Sequence, residues 1–149
     1  MRELSKMIAA AAFVGLAAIA SATITPSAAA LTIGAENGSM LASGAFASGE
    51  GHSTKGTAAI IREGGKTYLE LTGFETDRGP DLQVWLTTSK VMTGADGKST
   101  EKLVLGRLRS AKADTQRYEI PEGTDTAAFE SVVIWCRAFG VLFGAAQLA

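Results

Sequence analysis

A single cysteine, Cys136, and a single histidine, His52, occur in the 149 residues. One thiol excludes an internal disulfide, a Cys-x-x-Cys redox pair and the Cys-x-x-Cys-His attachment of a c-type haem. One histidine with no Gly-x-Ser-x-Gly sequence argues against a Ser-His-Asp hydrolase. No Gly-rich nucleotide loop opens a helix, and the carboxylates are scattered rather than paired as a glycosidase needs. Charge of one sign is also scarce: 14 basic residues face 15 acidic ones, with no basic block. Nucleic acid and anionic membrane surfaces are therefore poor partners. An enzyme in its own right is the weakest reading.

No apolar run reaches the roughly 20 residues that a bilayer-spanning helix needs. The run MIAAAAFVGLAAIA, Met7 to Ala20, follows a short basic start at Arg2 and Lys6 and precedes the small-residue segment SATITPSAAA. That order suits a cleavable secretory signal over residues 1–30, with Ala28 and Ala30 as the small residues a signal peptidase reads. An uncleaved anchor is the alternative. Cleavage after Ala30 leaves 149 − 30 = 119 residues, and removes Arg2, Lys6 and Glu3. The remaining 12 basic and 14 acidic residues sum to a charge of −2. The expectation is a periplasmic or secreted protein with no membrane insertion after cleavage. Residues 31–39 read as a short linker and 40–149 as one domain, long enough for a single core.

Glycine is frequent, at 17 residues, and breaks the chain into short runs rich in Val, Ile, Leu, Thr and aromatics. That rhythm predicts an all-β domain, a single β-sandwich or barrel-like fold of about eight short, mainly antiparallel strands. The runs are Leu41 to Phe46, Gly56 to Glu63, Lys66 to Phe74, Leu82 to Thr88, Leu103 to Arg109, Gln116 to Ile120, Ser131 to Ala138 and Val141 to Leu148. Gly64-Gly65 suits a primed hairpin turn, and Asp125 can cap one helical turn. The polar segment Lys90 to Lys102 is the longest interruption. Alternation puts Leu82, Val84 and Leu86 on one face of their strand, with Gln83, Trp85 and Thr87 opposite. On the next-to-last strand Val132, Ile134 and Cys136 share a face that points to the core, while Val133, Trp135 and Arg137 point away.

Four segments then fall into a familiar order: GHSTKG (Gly51 to Gly56), GFETDRGPDLQVWL (Gly73 to Leu86), QRYEIP (Gln116 to Pro121) and SVVIWCRAFGVLFGAAQL (Ser131 to Leu148). Together they resemble the electron transfer DM-thirteen domain, a small extracellular all-β module that accompanies DOMON and skeletor-type proteins in animals. The resemblance implies a redox role centred on the family's cysteine, which corresponds to Cys136. It also aligns His52 with the family's histidine pattern and Asp81 with its acidic turn position.

Each of these residues also has an ordinary role. Cys136 could ligate haem iron or copper, or be oxidised reversibly; equally, it could be a small buried hydrophobe. Burial would slow its reactions unless a cation or metal stands near. His52 could be a second ligand beside Cys136, or a structural histidine bonded to a backbone carbonyl. Met40 and Met92 could add a soft axial ligand but suit packing better. In GPDL, Pro80 and Asp81 read as turn-makers, with Asp81 able to bond an amide two residues on. Trp135 and Trp85 suit packing against the sheet or its rim, and Tyr118 suits a hydroxyl tying its strand to nearby backbone. Two classes of function lead, ahead of a purely structural envelope protein. One is an exported redox or electron-transfer accessory with an exported redox or envelope protein as partner, its cofactor being haem, copper or none. The other is a non-catalytic binding or adhesion module whose cysteine is inert.

Overall fold

The computed structural model describes residues 38–49, 51–90 and 101–149. The expected signal over residues 1–30, the linker up to Asn37, and residues 91–100 with Met92 lie outside the described residues. Eight strands form in chain order: β1 (Ser39–Ser48), β2 (Thr54–Glu63), β3 (Lys66–Thr76), β4 (Leu82–Thr87), β5 (Lys102–Arg107), β6 (Lys112–Ile120), β7 (Ser131–Cys136) and β8 (Val141–Gln147). They hydrogen-bond as one sheet in the order β5-β4-β7-β8-β1-β2-β3-β6, with every ladder antiparallel. The result is an all-β, nearly closed barrel. Among the described residues no helix is long and apolar enough to cross a membrane.

Closure depends on β1. Its first part, Ser39 to Ala45, pairs with β2, and Phe46 to Ser48 pair with β8. One strand therefore belongs to both halves of the sheet and turns its corner. Chains approach closely beside β8, where a Cβ added to Gly144 would lie 2.5 Å from the Thr54 side chain. Thr54 is held there: its hydroxyl donates to the Phe143 carbonyl at 2.7 Å and lies 2.7 Å from the Thr76 hydroxyl. The β2–β3 hairpin turns at Gly64 and Gly65, both at positive φ (58° and 79°), the left-handed pair that a primed turn requires.

The gap in the barrel lies between β5 and β6, the two ends of the strand order. Beside it, side chains of β6 hold the connection that follows β5. The Tyr118 hydroxyl on β6 accepts the Arg109 amide at 2.9 Å and donates to Gln116 at 3.0 Å. Gln116 in turn accepts from the Ser110 amide and donates to the Ser110 carbonyl.

Alternating side chains from both halves fill the interior. Ile60, Leu69 and Leu71 from β2 and β3 meet Val84, Leu86, Val132 and Ile134 from β4 and β7 in one cluster, each fully buried. Burying each such side chain contributes about 1.5–3 kcal/mol before entropy is counted. Phe46 and Phe74 meet edge-to-face with centroids 5.2 Å apart, the arrangement that aromatic quadrupoles favour. A second cluster, Trp85, Val133, Leu142 and Ala145 with Trp135 against it, occupies the opposite face of the β4–β7–β8 ladders. Both faces of β7 are therefore mostly apolar.

Candidate functional site

Cys136 is the last residue of β7. It lies opposite Leu82 on β4 and Val141 on β8. The alternation that sends Ile134 inward sends Cys136 inward too, and it is 0% exposed, within the interior cluster that also holds Leu82 and Phe143. Strand β7 stops here because its carbonyl accepts the Gly140 amide at 2.8 Å, closing a turn in which Gly140 has φ 66°. Arg137 and Ala138, expected to continue the strand, belong to that turn.

Arg137 turns outward and closes on the GPDL segment. Its amide donates to the Asp81 carbonyl at 2.9 Å, and its Nε donates to Asp81 Oδ2 at 2.6 Å. Arg107 approaches the other carboxylate oxygen at 3.5 Å and donates to the Pro80 carbonyl at 3.2 Å. The Leu108 amide bonds the Leu82 carbonyl at 2.8 Å. Asp81, with a side chain only 14% exposed, thus ties the ends of β5 and β7 to the turn between β3 and β4. Its carboxylate is taken up by two guanidiniums rather than by an amide two residues on. Charge-assisted bonds to arginine are the stronger option when both arginines are delivered to one spot.

His52 stands in the loop between β1 and β2. Its ring stacks on Phe143 with centroids 3.7 Å apart and planes 11° from parallel. Nδ1 lies 3.6 Å from Asp77 Oδ2, an oxygen that accepts the Ser53 amide at 2.9 Å; the Asp77 amide bonds back to the Ser53 carbonyl. The histidine is therefore docked on an interior phenylalanine, its partner a carboxylate rather than the backbone carbonyl considered from sequence.

These positions bear on metal ligation. A closed site for a soft metal takes three or four donors around one point. Among the described residues no group of three or more His, Cys, Asp and Glu side chains converges in that way. One face of the His52 ring is covered by Phe143, and Cys136 is enclosed by its cluster. Met40 is 65% exposed on β1, neither the packing residue expected nor an interior ligand. Cys136 and His52 do not by themselves compose a haem or copper centre.

The model of the family described as electron transfer DM13 matches residues 45–148. The chain belongs to that family. Membership supports an electron-transfer-related role. No curated protein and no solved structure matches it.

Within this DM13 barrel the remaining sequence candidates occupy separate places. Tyr118 lines the interior at the β5–β6 gap, with burial raising its phenol above the ordinary value and the Arg109 amide opposing that rise. Trp135 stacks on Trp85 at 5.2 Å on the other face of β7 from Cys136. The Trp85 indole donates to Gln83 at 3.1 Å, and Lys102 lies 4.0 Å from its ring centroid. Sequence reading missed the Arg137–Asp81–Arg107 clasp. The one signal was that Arg137, directly after an inward cysteine, must face outward, where a carboxylate partner would find it.

Proposed function

We propose that this DM13 domain is an exported electron-transfer accessory centred on Cys136, with an exported redox or envelope protein as its partner. What carries the reading is the position of the thiol at the very end of β7. The next residue is Arg137, whose bonds to Asp81 hold that end of the barrel shut. The side chain is enclosed, and the turn around Asp81 and the Arg137–Gly140 turn stand at the end of its strand. Lifting these would bring the sulfur to solvent or to a partner without dismantling the sheet. Pro80 and Asp81 support the clasp, Tyr118 the β5–β6 gap, and His52 the wall at Phe143.

The test is a redox titration of the exported protein, purified without chelator, beside Cys136→Ser. A reversible couple, or a visible absorption band, that is present in the parent and lost in the serine variant supports the reading. A colourless protein with no couple in either form overturns it.

A second reading has a specific observation behind it. Zero exposure of Cys136 within a hydrocarbon cluster also suits a binding or adhesion module whose cysteine is filler. In that case Cys136→Ser alters stability alone, because a hydroxyl placed among apolar side chains loses hydration without gaining a partner. Its contact would be the polar Lys90 to Lys102 segment, which lies largely outside the described residues.

A further inference from the structure

The same end of the barrel carries a concentration of charge that composition conceals. The whole chain has a net charge of −1, yet Arg78, Arg107, Arg109 and Arg137 gather around the GPDL turn. Arg107 and Arg137 meet at Asp81. Arg78, Arg107 and Arg109 line a cleft of about 300 Å³ between the Gly79–Leu82 turn and Ser110. Lys112 and Lys55, on the neighbouring strands, are already occupied by Glu75.

The arginines of the cleft are not matched by acids. Asp81 has one oxygen toward Arg107 and the other toward Arg137, and Asp77 is engaged by the Ser53 amide beside His52. Arg109 lies 5.0 Å from the Tyr118 ring. Among the described residues neither Arg78 nor Arg109 has a carboxylate partner. Counting the four guanidiniums against Asp77 and Asp81 leaves a surplus of positive charge. All four guanidiniums are exposed, which leaves that positive charge available to a partner.

We infer that this cleft is a docking site for the carboxylates of an acidic protein surface, presented by the partner that exchanges electrons with the domain. Guanidinium forks suit carboxylates geometrically, and exposed ones around an open mouth favour a broad acidic surface over a small enclosed ligand. Charge of this kind accelerates encounter and sets orientation more than it adds affinity. It would orient the partner usefully here, because Leu82 lines the cleft and is the cross-strand neighbour of Cys136. The inference deepens the electron-transfer reading and rests on it for the partner's identity.

Hexaglutamate is the probe, titrated into the full chain and followed by amide chemical shifts at low and at physiological salt. Shifts confined to residues 78–82 and 107–111, weakening as salt rises, are expected. Arg78→Glu and Arg109→Glu should each lower affinity about threefold, and together about tenfold. The Arg78 side chain forms no hydrogen bond or ion pair among the described residues, so its single variant keeps the test usable if the double variant is unstable. Binding that survives both reversals, binding of hexalysine at the same level, or acetate binding as tightly as the hexapeptide would each overturn the proposal. Cys136→Ser separates this from the redox reading, since hexaglutamate binding should persist in it whether or not a couple exists.

Discussion

The accessibility of the Cys136 thiol offers the sharpest test, because the structure supplies the size of the effect. At 0% exposure the sulfur reacts only from an opened state. Opening the end of β7 breaks the Arg137–Asp81 ion pair and two backbone bonds, Arg137 to Asp81 and Gly140 to Cys136. Arg137 is 71% exposed, so solvent screening holds the ion pair to about 1 kcal/mol at most. The two hydrogen bonds add about 1 kcal/mol each in net terms. An opening cost of about 3 kcal/mol slows labelling by about two orders of magnitude relative to a free thiol. Global unfolding, at about 5–15 kcal/mol, would slow it by about 10⁴-fold or more. The assay is the rate of reaction with a small thiol reagent in native buffer and in sub-denaturing urea. Local opening predicts the smaller protection and little urea dependence. Asp81→Asn, which removes the charge from the clasp, should then speed labelling up to about fivefold. Labelling that follows global unfolding, with its full urea dependence, would refute the reasoning and leave Cys136 as core filler.

Three further outcomes follow from other parts of the molecule. Gly144→Ala should cost about 1–3 kcal/mol in urea unfolding, because the new methyl meets Thr54, whose hydroxyl is bonded to Phe143 and close to Thr76; a change below about 0.5 kcal/mol would contradict the close approach. Tyr118→Phe should cost about 1–2 kcal/mol by stripping the Arg109 amide of its acceptor. Burial raises the phenol above its ordinary value near 10, so the folded state holds that proton more tightly than the unfolded chain. The parent's full stability is therefore present below about pH 10 and falls as pH rises toward the folded value, and melting curves on the alkaline side should lose that slope in the phenylalanine variant. Export with cleavage after Ala30 should yield a product beginning at Leu31, read by amino-terminal sequencing; an intact Met1 on the exported form would remove the signal reading.

All eight strands were legible as short runs of β-forming residues between breaks, and so were the two faces of β4 and β7. Alternation alone sent Cys136 inward and Trp135 outward, because successive side chains on a strand must diverge. Gly64-Gly65 announced its turn and Asp125 its cap, where its carboxylate accepts the Ala127 amide at 3.1 Å; both are local chemistry. Strand ends were less legible. β6 begins at Lys112, ahead of the Gln116 that its hydrophobic pattern suggested, because β3 extends to Thr76 and pairs Glu75 with Lys112. β7 ends at Cys136 because the Gly140 turn captures its carbonyl.

The sequence by itself therefore determined the class of fold, the strand order along the chain and the inward direction of the lone thiol. These follow from side-chain period and turn residues within a few positions. Tertiary structure alone decided that β1 serves two neighbours, that His52 rests on Phe143, and that Arg137 and Arg107 converge on Asp81. Such contacts join residues tens of positions apart, and no local pattern encodes them. They exist because closing the sheet brings distant strand ends to one rim, where opposite charges and stacked rings then find each other.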